Sequence, residues 1–119
     1  MESNHALIES FKFALEGLKT AIKKGRNFRI QVLLGTFAVA LGIFYKISPS
    51  EWLDLILIIA SVLILELINT AIEEIVNIIS PQIQERAKIA KDVSAGAVLV
   101  ASIAAVCIGG LVFLPKILK

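Results

Sequence analysis

Three long apolar segments constrain the fold of this chain more than any other feature. No charged side chain occurs in residues 30–45, 55–65 or 93–115. A helix needs about 20 mostly apolar residues to cross a bilayer. The chain has 119 residues, of which 57% are hydrophobic, and its mean hydropathy is +0.85. Since these values exceed those of ordinary soluble domains, the sequence predicts one all-α membrane domain, residues 1–119.

The polar residues between these segments give the predicted element boundaries. Residues 28–47 form the first transmembrane helix and 91–115 the third. The second, 51–79, is roughly 43 Å long at 1.5 Å per residue, so its end should extend beyond the hydrocarbon core into cytoplasm. Before them, residues 5–24 repeat apolar side chains at helical spacing, which predicts an amphipathic helix on the membrane surface.

Basic side chains concentrate on one predicted side of the membrane, which places the N-terminus in the cytoplasm by the positive-inside rule. They precede the first span or lie between the second and third: Lys12, Lys19, Lys23, Lys24, Arg26, Arg29, Arg86, Lys88 and Lys91. The formal net charge is only +2, and we therefore expect no nucleic-acid partner.

Small residues recur every fourth position in the third span, at Ala97, Ala101, Ala105 and Gly109. Such spacing lets helix backbones approach closely in lipid, within one chain or between copies. Three spans and a surface helix enclose little volume, so we expect a homo-oligomer. The spacing does not determine how many copies it contains.

The second span carries acidic and amide side chains directly after an apolar run. Glu66, Asn69, Glu73 and Asn77 lie at i, i+3, i+7 and i+11 and share one helix face, whereas Glu74 is rotated about a quarter-turn away. A carboxylate within a membrane is costly and usually functional. Oxygen ligands together with phosphate are what Mg²⁺ prefers. This face therefore predicts a metal–phosphate site.

Cationic side chains that follow in sequence complete the parts of a phosphoryl-transfer site. Lys88 and Lys91 are suited to nucleotide phosphates. No Walker-type GxxxxGK[ST] loop or GxGxxG loop occurs. Three alternatives stay open at this point: a solvated helix end carrying Glu73, a structural ion pair at Glu66, or an ion-coupled membrane subunit that uses Glu66 as its proton site.

Two motifs closely resemble the prokaryotic diacylglycerol kinase / undecaprenol kinase family, which consists of small integral-membrane lipid kinases. These are ELINTAIE at 66–73 and AKIAKDVSAGAVL at 87–99, and SFKFALEGLKTA at 10–21 and NFRI at 27–30 extend the likeness. The resemblance implies three spans and a surface helix, packed as a homotrimer with shared active sites in the bacterial cytoplasmic (inner) membrane. AKIAKD and the C-terminal GGLVFLPKI look more like the undecaprenol kinase branch.

The resemblance also implies roles for individual residues. Glu66 would be the general base for the hydroxyl of a membrane lipid alcohol, either undecaprenol or diacylglycerol. Glu73 would bind the Mg²⁺ of Mg-ATP, Lys91 would contact the nucleotide phosphates, and Asn77 would also bind the nucleotide. Asn69 and Asp92 would line the site.

Two positions depart from the family pattern. Gly25 stands three residues before the Phe of NFR, where the family usually has a metal-binding glutamate, and Asn77 stands where an Asp is common. The loss of two negative charges should weaken metal binding or shift it toward Glu74 or water. A weakened or non-catalytic family member is therefore the alternative to an active lipid kinase.

Overall fold

A computed structural model, which describes residues 2–80, 82 and 84–119, has four helices. They are α1 (Glu2–Lys24), α2 (Arg26–Phe44), α3 (Pro49–Ile79) and α4 (Glu85–Ile117). The last three are long and apolar enough to cross a membrane. The predicted all-α architecture with three such helices is confirmed, and the chain is a multi-pass membrane protein.

The break between α1 and α2 is a single extended residue, Gly25, with φ −99° and ψ 102°. The Arg29 guanidinium reaches back across it and donates from Nη1 to the carbonyls of Ile22 and Lys23, at 2.8 and 3.0 Å. These carbonyls belong to the last turn of α1, which would otherwise lack hydrogen-bond partners and which favours a nearby cation. We call this bend, residues 24–27, the elbow. Arg29 therefore stabilises the elbow between the two helices.

The start of α3 is set by a capping box. Ser48 Oγ accepts from the backbone N–H of Glu51 at 3.3 Å, and Glu51 Oε1 accepts from the backbone N–H of Ser48 at 3.0 Å. Pro49 stands at the first helical turn, where its missing N–H costs nothing. At its other end α3 stops at Ser80. The sequence predicts this end from Ser80-Pro81, because proline breaks a helix, and Pro81 lies outside the described residues.

The helices form a flat body of 53 × 47 × 21 Å, in which α4 and α2 both pack against α3. Helix α1 packs lightly against α2 and α3. Most of its apolar side chains are exposed, as are most of those on the other helices. This surface suits lipid or another copy of the chain; the surface position of α1 and the homotrimer remain predictions.

The best-packed region is at the α2–α3 turn and the end of α4, and we call it the packed end. Its buried core is Ile47, Leu55, Val112 and Phe113, with Trp52 against it. Gly42 is required there because a Cβ would lie 2.7 Å from Trp52 Cη2. Lys116 Nζ donates to Glu51 Oε2 at 2.6 Å, which ties α4 to the start of α3.

An apolar groove of about 280 Å³ runs between α2, α3 and α4 from Gln31 toward the packed end. The predicted small-residue face of α4 is divided by this packing. Ala101 is buried within the chain, Ala105 and Gly109 line the groove, and Ala97 is exposed. The small residues therefore serve packing within one chain at least in part.

Candidate functional site

The polar face of α3 is the most unusual feature of the fold, because two of its members are buried. Glu66 is 5% exposed and Asn69 is 7% exposed, while nearly all other charged side chains lie at the surface. Helical spacing turns both toward α2 and the elbow. Because burying a carboxylate and an amide is costly, their burial in a chain with so little core indicates a functional site.

These side chains line a cavity of about 270 Å³ at the junction of α1, α2 and α3, which we call the polar cavity. Its walls come from two short stretches, one at the elbow and one on α3. They are Lys24, Gly25, Arg26, Asn27, Glu66, Asn69, Thr70, Glu73 and Glu74. The structure thus brings together Glu66, Asn69 and Glu73, all of which the sequence predicted as site residues.

Hydrogen bonds order the middle of this cavity. Asn69 Nδ2 donates to Glu73 Oε1 at 3.3 Å. Asn69 Oδ1 is buried and has no hydrogen-bond partner among the residues that the structure describes, which is unusual for a folded protein. Thr70 Oγ1 donates to the backbone carbonyl of Glu66 at 3.0 Å and is therefore engaged with its own helix. The free oxygen of Asn69 and the Glu73 carboxylate are left to a ligand.

Glu74 also lines the cavity, although its sequence position predicts that it points about a quarter-turn away from the polar face. The elbow explains this, because it extends the cavity sideways around α3. Lys24 Nζ at the end of α1 lies 3.8 Å from Glu74 Oε1. Both side chains are more than half exposed, so this ion pair contributes little to stability.

The cations of the elbow were not predicted as site residues. Lys24 and Arg26 flank Gly25 and line the cavity opposite the acids of α3. The sequence did contain a signal, since two basic residues border a helix-ending glycine. Their position beside α3 depends on the angle of the elbow, which periodicity does not give.

Position 25 has no room for a side chain in the present backbone conformation. A Cβ on Gly25 would lie 2.8 Å from the carbonyl oxygen of Ala21 and 3.2 Å from Phe28 Cβ. The first contact is with backbone, and Ala21 and Phe28 are both buried. Any other residue at this position requires the elbow to shift.

The three predicted residues nearer the α3–α4 connector do not line the polar cavity. Lys91 Nζ donates to Asn77 Oδ1 at 2.6 Å, joining the end of α3 to the start of α4. Lys88 Nζ donates to Asp92 Oδ2 at 2.6 Å, one turn apart on α4. Asn77 is neutral, so Lys91 is held in place while its charge stays uncompensated by this partner.

The donors of the polar cavity fit Mg²⁺ bound together with phosphate. Glu73 and the free Oδ1 of Asn69 are oxygen ligands, which this cation prefers. Among the described residues, no cluster of three His, Cys, Asp or Glu side chains is arranged for a metal ion. One or two carboxylates with phosphate oxygens is the usual magnesium arrangement in nucleotide enzymes.

Comparison with known proteins shows what this chain is similar to. A family model described as prokaryotic diacylglycerol kinase matches residues 12–113. A diacylglycerol kinase of Synechocystis sp. is 41% identical over 114 residues, covering 95% of this chain, which spans 65% of that protein's length. An undecaprenol kinase of Bacillus subtilis is 37% identical over 109 residues, covering 92% of this chain and 89% of the relative.

A third relative is matched over a similar share of its length and is also named a diacylglycerol kinase. The diacylglycerol kinase of Haemophilus influenzae is 36% identical over 110 residues, which cover 90% of this chain and 87% of that protein's length. The names of these relatives thus divide between two lipid alcohols. They agree on a kinase that acts on a lipid.

Proposed function

Because the chain belongs to the prokaryotic diacylglycerol kinase family, whose similar members are named as lipid kinases, we propose that it transfers the γ-phosphate of Mg-ATP to the hydroxyl of a membrane lipid alcohol. The acceptor is of the diacylglycerol or the undecaprenol class. ATP is the phosphate donor and enters from the cytoplasm, while the acceptor enters sideways from the bilayer.

The transfer assigns the proton and the phosphoryl group to defined atoms. Glu66 takes the proton of the lipid hydroxyl as that oxygen bonds to the γ-phosphorus. The bond between the γ-phosphorus and the bridging oxygen breaks, and ADP leaves with that oxygen. The products are a lipid phosphate, ADP and a protonated Glu66, which afterwards releases its proton to water.

One observation carries this proposal. Glu66 is buried, directly follows the uncharged run 55–65 of α3, and lines the same cavity as Glu73, Asn69 and the elbow cations. A base that must meet a lipid hydroxyl belongs beside hydrocarbon, and phosphate-binding groups belong beside water. The polar cavity joins these two environments within a few helical turns of α3.

Mg²⁺ bound with ATP would be held by Glu73, with the free oxygen of Asn69 beside it. The cation neutralises charge on the phosphate oxygens when bound. Lys24 and Arg26 add positive charge on the facing wall, and Lys91 adds it from the start of α4. These residues bind and orient the phosphates, which is most of what an enzyme contributes to phosphoryl transfer.

The assembly and placement of the protein follow from the same proposal. The N-terminus and the α3–α4 connector lie in the cytoplasm, so the polar cavity opens toward the nucleotide. Helix α1 lies on the inner surface of the membrane with its apolar side in lipid. The functional unit is a homotrimer in the bacterial inner membrane, with sites shared between subunits.

The direct test is purified protein in lipid with Mg-ATP and, separately, diacylglycerol or undecaprenol. We expect phosphate transfer from γ-labelled ATP to one or both alcohols. Absence of transfer to either lipid would reject the kinase. ATP-independent proton flux in liposomes would instead favour an ion-coupled subunit that uses Glu66.

Two substitutions at Gly25 separate crowding from lost metal ligation. Gly25→Ala should lower both thermal stability and turnover, by about three- to tenfold in rate, because its Cβ meets the Ala21 carbonyl oxygen. Gly25→Glu has the same Cβ and adds a carboxylate. The ratio of the two rates at limiting Mg²⁺ isolates the effect of the acid.

If the Glu variant exceeds the Ala variant several-fold, the natural chain lacks a metal ligand that the fold can still use. Equal rates would show that the present site works without an acid at position 25. ATP binding without turnover in the unaltered chain would identify a non-catalytic member.

A further inference from the structure

Glu74 is a second carboxylate beside Glu73 in the polar cavity. Consecutive residues of a helix point about 100° apart, yet both side chains reach this cavity because the elbow extends it around α3. Both are exposed, whereas Glu66 is buried. The part of the cavity that faces water therefore has two carboxylates rather than one.

The contact that Glu74 makes within the chain is loose. Lys24 Nζ lies 3.8 Å from Glu74 Oε1, and the two side chains are 63% and 54% exposed. A charge-assisted hydrogen bond between such groups spans about 2.7–2.9 Å, so this contact is an ion pair without a hydrogen bond. An exposed pair of this kind adds little to stability. Both side chains can therefore exchange partners at little cost to the fold.

A buried oxygen beside the two carboxylates independently indicates a ligand. Asn69 is 7% exposed, and its Oδ1 has no hydrogen-bond partner within the described part of the chain. Its Nδ2 donates to Glu73 Oε1 at 3.3 Å, which leaves the oxygen as the free end of the amide. A buried acceptor that has lost its water and gained no donor destabilises the fold. A cation in the cavity would supply the missing partner.

The charges around the cavity indicate how its ion pair changes when a nucleotide binds. Mg²⁺ is usually held by one or two carboxylates together with substrate phosphates. Lys24 and Arg26 lie on the elbow side of the cavity and suit phosphate oxygens. Once phosphate engages Lys24, the Glu74 carboxylate loses its cationic partner. A metal ion that arrives with the phosphates then replaces that partner.

Resting on the proposed function, we propose that Glu74 is the second carboxylate ligand of the Mg²⁺ bound with ATP, and that Lys24 turns from Glu74 to the nucleotide phosphates when this complex binds. Glu73 and Asn69 are the other protein ligands. The sequence left Glu74 and water as alternatives for metal binding, and the place of Glu74 in the polar cavity favours the carboxylate.

The test is the binding of adenylyl imidodiphosphate, a nonhydrolysable ATP analogue, to the purified protein in lipid, either with Mn²⁺ or in EDTA. Glu74→Gln should raise Kd about tenfold with Mn²⁺ and less than twofold in EDTA, because only the metal complex loses a ligand. Lys24→Met should raise Kd by a similar factor, about fivefold, in both conditions, because it removes a phosphate contact. Calorimetry measures each Kd without any need for turnover.

Glu85→Gln is the matched control, because Glu85 is an exposed acid in the first turn of α4 and does not line the polar cavity. Its Kd should stay within about twofold of the unaltered protein in both conditions, as expected for an exposed charge away from the ligand.

Glu74→Cys is the second variant, and it decides the question if binding in EDTA is too weak to measure. A thiolate prefers soft metals, so this variant should bind the Cd²⁺ complex of the analogue more tightly than the Mn²⁺ complex. Glu85→Cys, which carries the same added thiol outside the cavity, should keep the preference of the unaltered protein. No change of preference in the Glu74→Cys protein would contradict metal ligation at this position.

Two further results would overturn the inference while leaving the kinase intact. One is an unchanged Kd for the Mn²⁺ complex in the Glu74→Gln protein. The other is an equal rise with Mn²⁺ and in EDTA, which would make Glu74 only the ion-pair partner of Lys24.

The kinase itself is tested by transfer to lipid. If the expected binding pattern is found but the unaltered protein phosphorylates neither lipid alcohol, the metal site stands and the kinase is rejected. If the unaltered protein does not bind the analogue at all, both proposals are rejected.

Discussion

The packed end and the polar cavity lie at different points along α2 and α3, and they differ in how their polar side chains are paired. At the packed end, Glu51 accepts from Lys116 at 2.6 Å and from the Ser48 backbone at 3.0 Å. In the polar cavity, Asn69 Oδ1 has no partner and Glu66 forms no salt bridge among the described residues.

This difference distinguishes stability from function. A carboxylate with a cation and a backbone N–H holds two helices together and leaves nothing for a ligand. A carboxylate and an amide with unused hydrogen-bonding capacity destabilise the fold, because each buried group without a partner has lost its water. Such groups are retained where a substrate or ion completes them.

The strongest test compares acids of α3 in the two regions. Glu66→Gln should lower kcat about 100-fold or more, because an amide cannot accept the hydroxyl proton. Glu73→Gln should lower kcat by a similar factor, because the Mg²⁺ bound with ATP loses its carboxylate ligand. Glu51→Gln makes the identical change at the packed end. It should leave turnover within about threefold, measured with γ-labelled ATP at saturating lipid.

If Glu51→Gln and Glu66→Gln lowered kcat by the same factor, the two regions would not differ in function. Near-normal rates for Glu66→Gln would refute its assignment as base. Elution volume in detergent provides the check that each variant is folded.

A smaller effect is expected at the α3–α4 connector. Lys91→Met should raise KM for ATP about tenfold, since a charge-assisted contact to phosphate is lost. Lys119→Met removes the same charge at the far end of the chain and should change KM less than twofold. An unchanged KM in the Lys91 variant would place the nucleotide away from α4.

The smallest effect on turnover is expected from overpacking the packed end. Gly42→Ala places a Cβ 2.7 Å from Trp52 Cη2 and should destabilise the fold by about 1–3 kcal/mol. Gly96→Ala is the matched control, because a Cβ there meets no atom within 4 Å. The melting temperature in detergent should fall for Gly42→Ala and stay unchanged for Gly96→Ala.

Turnover per folded molecule at low temperature should stay within twofold for both glycine variants. A large loss of activity in the Gly42→Ala enzyme, with unchanged Tm, would show that the packed end takes part in catalysis. That result would contradict the separation of the two regions.

The sequence by itself determined the class of fold and the centre of the candidate site. Uncharged runs of bilayer length allow few alternatives to helices, because a backbone in lipid must satisfy its own hydrogen bonds. The period of 3.6 residues alone places Glu66, Asn69 and Glu73 on one face. The motif ELINTAIE at 66–73 then indicated the family.

The tertiary structure decided what faces that helix. Lys24 and Arg26 enter the cavity through an elbow whose angle depends on Arg29 and on the absence of a Cβ at Gly25. Lys91 bonds to Asn77 because α4 packs along α3 beyond the connector. Periodicity describes one helix at a time, whereas a site between helices depends on the crossing of several.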